Sequence, residues 1–134
     1  MSDYSCYVMI QNKSKWTLTM DGNADQGSWQ VDFPMTVAPG ATTGWVQLRD
    51  PSGPEGAAGG IDLSAEGTNA SLSATFSDGY VSSNTCSIGS QGLTDTMTWT
   101  FAGGTGGPGG LEPDNVPGSG HPVYLEFTFT DSAA

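Results

Sequence analysis

Asp21-Gly-Asn23-Ala-Asp25 is the stretch whose oxygen-bearing side chains are spaced for a cation. Acidic and amide residues at alternate positions open a calcium loop. Here the glycine comes one place late, at Gly27, and no Glu closes the loop at the twelfth position. Asp32 stands there, on an expected strand. Asp21, Asn23 and Asp25 are therefore candidate calcium ligands, with ordinary turn chemistry as the competing reading. No other cofactor is expected. His121 is the one histidine, between a Gly-Ser-Gly turn and Pro122. A catalytic triad needs a nucleophile and an orienting acid beside it. Nothing in the sequence places Ser119 or Cys86 there, so His121 reads as an ordinary surface histidine. Cys6 and Cys86 allow one disulfide or two free thiols, and Cys6 sits in an alternating run that favours a buried thiol. The four Glu and ten Asp are scattered, with no sign of a pair for glycoside cleavage. A non-enzymatic protein is expected.

Aromatic residues are the better candidates for binding. Trp16, Trp29 and Trp99 alternate with polar neighbours and are expected to pack inward. Trp45 follows Gly44, with Val46 and Leu48 on the opposite face, and Tyr80 follows Gly79. Trp45 and Tyr80 are the candidate ligand-binding residues, since exposed rings suit sugar stacking or a membrane interface. Burial in a strand covered on both faces is the alternative. The charge narrows the choice. The net charge is -11, and Lys13, Lys15 and Arg49 are the only cations. Nucleic acid and anionic lipid surfaces both reward Lys and Arg, so neither is an expected partner.

The elements that must position these residues are strands. The chain has 134 residues, enough for one domain spanning 1–134 with its own core. Cys6, Val8 and Ile10 alternate with Tyr7 and Met9, and Trp16, Leu18 and Met20 alternate with Lys15, Thr17 and Thr19. With a turn at 12–14, the two runs read as a hairpin. Residues 21–27 read as a loop, and Trp29, Val31 and Phe33 as a third strand stopped by Pro34. Gly44 to Leu63 holds strand-like ends around a turn-rich middle with Pro51, Gly53, Pro54, Gly56, Gly59 and Gly60. Its ends are expected to form neighbouring strands. Leu72, Ala74 and Phe76 alternate, Asp78-Gly79 is a turn, and Tyr80, Val81 and Ile88 give weak strand evidence. Leu93, Met97, Trp99 and Phe101 share a face, and Val123, Leu125, Phe127 and Phe129 form the final strand. Residues 102–120, with eight glycines and three prolines, read as a long loop or a mobile lid. No helical period is present. About eight or nine strands with frequent turns predict an all-β, antiparallel β-sandwich. The first residues carry no basic and apolar leader, so a soluble chain is expected, cytoplasmic or exported by another route.

Arg49-Asp-Pro-Ser-Gly-Pro-Glu-Gly-Ala-Ala-Gly-Gly-Ile-Asp-Leu63 resembles the middle of an aegerolysin. The opening strand, the Asn12 and Ser14 turn, and Ser28-Trp29 after a polar loop fit the same pattern. The matching positions are Trp29, Arg49, Glu55, Gly56, Gly59, Asp62 and Leu63. The family's cysteine before the Arg is absent, and Phe76 to Cys86 replaces its Trp- and Cys-rich segment. The resemblance implies a β-sandwich without catalysis that binds membrane lipid, in some members with a larger pore-forming or toxin partner. A carbohydrate-binding or assembly module, with a glycan as ligand, is the alternative.

Overall fold

The computed structural model describes residues 3–51, 55–80 and 82–132. Gly53, Pro54 and Val81, cited above as turn and strand signals, lie outside the described residues. In chain order the strands are β1 (Cys6–Lys13), β2 (Leu18–Gln26), β3 (Ser28–Trp29), β4 (Met35–Val37), β5 (Val46–Arg49) and β6 (Ala58–Ala65). Then come β7 (Ser71–Ser77), β8 (Thr85–Gln91), β9 (Met97–Thr105), β10 (Glu112–Pro113) and β11 (Val123–Asp131). A single helical turn, α1 (Leu93–Thr96), is the one helix among the described residues. The strands form a six-stranded sheet in the order β10-β9-β11-β1-β5-β3 and a five-stranded sheet in the order β4-β2-β6-β7-β8. This is the β-sandwich that the alternation predicts.

Alternation builds the core directly, because side chains on a strand point to opposite faces in turn. Val8, Ile10, Leu125 and Phe127 from the first sheet are fully buried with Leu18, Met20, Ile61 and Leu72 from the second. Each such side chain contributes about 1.5–3 kcal/mol of burial energy. Trp16, Trp29 and Trp99 are partly buried against this cluster, as their alternation predicts.

Four expectations are corrected. The sheet is not wholly antiparallel: β1 and β11 pair in parallel, from Cys6 opposite Val123 to Lys13 opposite Thr130. Both strands are central, and the chain between them supplies the long crossover that parallel pairing needs. Second, β1 and β2 are not a hairpin but lie in different sheets. Buried Asn12 fixes the crossing: its side-chain amide donates to the carbonyls of Trp16 (2.7 Å) and Val37 (2.9 Å). Its side-chain oxygen accepts from the Ser14 amide (3.1 Å) and hydroxyl (2.6 Å). Third, the two ends of the Gly44–Leu63 stretch also divide between the sheets, as β5 and β6. Fourth, residues 102–105 continue β9, and Glu112 and Pro113 pair back on Gly103 and Ala102. The glycines there serve close approach: the Asn115 carbonyl stands where a side chain on Gly103 would begin.

Candidate functional site

At the end of the sandwich where β1 and β11 begin, three segments bring rings and an acid together. Tyr4 precedes β1, Asp78 and Tyr80 follow β7, and His121 precedes β11. The Tyr4 ring lies 4.2 Å from the His121 ring and 4.8 Å from the Tyr80 ring, centroid to centroid. Tyr80 is 42% exposed, the one large hydrophobic residue left open among those described.

Beneath the rings, His121 Nδ1 is hydrogen-bonded to Asp78 Oδ1. This corrects the reading of His121 as an ordinary surface residue. Asp78 is 1% exposed, and its second oxygen, Oδ2, has no hydrogen-bond partner. Burial pushes its carboxyl up to about 6, and the hydrogen bond and charge of His121 draw it back only in part. A carboxylate is costly to bury without full pairing.

The loops holding this group are tied by backbone contacts. The Asp78 amide donates to the Ala57 carbonyl, and the Ala57 amide to the Tyr4 carbonyl, both at 2.9 Å. Buried Asn84 accepts from the Gly79 amide (2.9 Å) and donates to the carbonyls of Pro117 and Gly120, each at 3.1 Å. Gly56 lacks a side chain where the Asp78 carbonyl packs against it. Beside Tyr80 opens a cleft of about 330 Å³ lined by Glu55, Ser77, Asp78 and Ser82 among others, none of them basic.

An acid holding an imidazole is half of a hydrolytic triad, which also requires an activated nucleophile. The thiols do not offer one. Burial drives the Cys6 thiol far up and the Cys86 thiol to about 11, so both stay protonated at neutral pH. Both cysteines are free.

The two candidate binding residues fall in different places. Trp45 is half-buried, its ring 5.1 Å from Tyr124 and perpendicular to it. Tyr124 in turn stacks on Tyr7 at 4.8 Å. These rings stand on the outer face of the six-stranded sheet, where Tyr7 donates to Asp3 (2.7 Å) and accepts from Gln47 (3.2 Å). Burial and the Asp3 carboxylate push the Tyr7 hydroxyl up to about 12. Trp45 thus belongs to a ring cluster with Tyr124 and Tyr7, and Tyr80 to one with Tyr4 and His121.

Asp21, Asn23 and Asp25 do not form a loop. They lie on β2, which runs on to Gln26 and pairs with β6 through this stretch. On a strand Asp21 and Asp25 stand about 13 Å apart, too far for all three side chains to converge on one cation. Among the described residues no group of three or more His, Cys, Asp or Glu could hold a metal. Tyr4, Asp78 and His121 escaped sequence reasoning because their partners lie 43 residues apart or more, as Asp78 and His121 do.

The fold and site define a class: a β-sandwich with a mixed six-stranded sheet and a ring-lined loop end. Solved structures share the fold. IP-1A from Alcaligenes faecalis matches with a TM-score of 0.68 at 10% identity, over 96% of this chain and 91% of that one. RahU, solved with a Tris molecule, matches with a TM-score of 0.65 at 16% identity, over 97% and 96%. The lipid binding protein Nakanori matches with a TM-score of 0.62 at 12% identity, over 93% and 70%. No family model matches the chain, and no curated protein matches it in sequence.

Proposed function

We propose that this chain is a non-enzymatic, aegerolysin-type protein that recognises a membrane lipid through the loop end bearing Tyr4, Tyr80 and His121. The observation that carries this reading is the exposed Tyr80 ring, packed at a tilt against Tyr4 beside an acidic cleft lined by no basic residue. The resemblance at Glu55-Gly56 supports it, since that pair borders the same cleft. The shared fold with a lipid binding protein supports it as well. By the same resemblance, a larger pore-forming or toxin partner would act with the bound protein.

The charge selects the headgroup. With a net charge of -11, an anionic surface is repelled. A zwitterionic headgroup presents an ammonium to Glu55 and the tyrosine rings, and a cation over such a ring gains about 0.5–2 kcal/mol. Sedimentation with phosphatidylcholine vesicles, and with vesicles rich in phosphatidylserine, tests this. Binding to the first and not the second is expected, and Tyr80→Ala weakens it about tenfold, the loss of ~1.4 kcal/mol. Equal binding by the variant, or no vesicle binding, refutes the proposal.

A further inference from the structure

A second cleft, of about 400 Å³, opens along one side of the sandwich. It lies between β8, the edge of the five-stranded sheet, and the β9–β10 edge of the other. It shares no lining residue with the cleft beside Tyr80. Its floor is made by Ile88, Trp99 and Phe101, inward-facing side chains that pack on the core. Ile88 and Trp99 are nevertheless only half-buried, so the core is left open here. Its rim carries exposed Asp114 and Asn115, and buried Asn84 lines its inner end.

The walls are fixed in advance. Gly103 and Gly104 let residues 111–115 close onto β9, because any side chain on them would meet Asn115 and Leu111. The Asp114 amide donates to the Phe101 carbonyl at 2.8 Å, and the Asn115 side chain donates to Glu112 at 2.8 Å. Asp114 has a φ of 56°, the one positive φ outside glycine among the described residues. Asp is among the few side-chain-bearing residues that adopt this conformation readily, and it fixes the turn that carries the carboxylate. The backbone thus holds a carboxylate at the mouth of an aromatic-floored opening.

We propose that this cleft binds one neutral sugar ring. A pyranose has an apolar C–H face suited to the Trp99 floor and hydroxyls suited to the rim. Asp114 accepts from hydroxyls, and the Asn115 carboxamide both donates and accepts. The volume lies within the usual range for small-molecule pockets. No cation lines the cleft, so phosphate, sulfate and acidic sugars lack a partner. An alkyl chain would desolvate Asp114 and Asn115 without replacing their hydrogen bonds. The ring can come from a free glycan or from a glycolipid headgroup, and the inference stands independently of the lipid reading.

The test uses the methyl glycosides of glucose, galactose, mannose and N-acetylglucosamine, observed by saturation-transfer NMR with the whole protein. At least one is expected to bind. Asp114→Gly removes the carboxylate while suiting the positive φ, so it folds and weakens binding about tenfold. Trp99→Phe weakens it too, and Tyr80→Ala leaves it intact. Phosphatidylcholine vesicles with and without a neutral galactolipid then separate the sources. Added capture competed by the methyl glycoside marks a glycolipid headgroup, and no added capture marks a free glycan. Absence of signal from all four sugars, a signal unchanged in Asp114→Gly, or a preference for acidic sugars overturns the proposal.

Discussion

Asp78→Asn should remove a pH dependence that runs opposite to that of most carboxylates. The usual paired carboxylate has a lowered folded-state pKa and adds stability as pH rises. Asp78 is buried with Oδ2 unpartnered, and its carboxyl is raised from 3.8 to about 6. A raised acid is protonated more readily in the folded chain than in the unfolded one. Its contribution is full below the ordinary value and is lost as pH rises through the folded one. Titration between these two values withdraws about 2 kcal/mol between pH 4 and 7. Asn keeps an oxygen for His121 Nδ1 and never ionises. Urea titrations of both proteins at pH 4, 5, 6 and 7 read the effect. With a slope of about 2 kcal/mol per molar urea, the parent should lose about 1 M in midpoint relative to the variant across that range. Other carboxylates, such as Asp3 with its lowered pKa, act in both proteins and cancel in the comparison. Parallel profiles would show that Asp78 is solvated or fully paired, and the account of the site's electrostatics would fail.

Asn12→Ala should cost about 3 kcal/mol in urea unfolding, because it strips hydrogen bonds from the buried Val37 carbonyl and the partly buried Trp16 carbonyl at once. Gly56→Ala should lower the melting temperature by several degrees, at about 3 °C per kcal/mol. It should also weaken vesicle binding, since the Asp78 carbonyl must move to admit the methyl group.

The strands were legible wherever one face is buried. β1, β7 and β11 alternate, and their buried apolar residues are the ones the pattern selects, while buried Asn12 at the end of β1 reads as a turn residue. Pairing was less legible, because alternation specifies a face and not a neighbour. The turn-like residues 12–14 could close a hairpin or lead to the other sheet, and only the carbonyls that Asn12 meets decide. Glycine is ambiguous for a similar reason. Gly103 and Gly104 look like flexible loop residues until Asn115 and Leu111 are seen against them. Tyr80 could be singled out from its Gly79 neighbour, but its surroundings could not. Asp78-Gly79 has turn composition, and nothing near it in sequence announces His121. Trp45 had the same local signal as Tyr80, and its packing on Tyr124 is a contact set by pairing far along the chain.

The parallel pairing of β1 with β11 bears on how the protein is made. Gln11 and Glu126, hydrogen-bonded across the two strands, are 115 residues apart. At about 5–20 residues per second, several seconds or more of translation separate them. During that interval β1 and β9 each lack the neighbour that β11 supplies, and an apolar strand edge in the middle of a sheet stays open to other chains. Completion of the six-stranded sheet therefore waits for β11 to leave the ribosome. Chains stopped short of residue 123 should be the aggregating species in the cell.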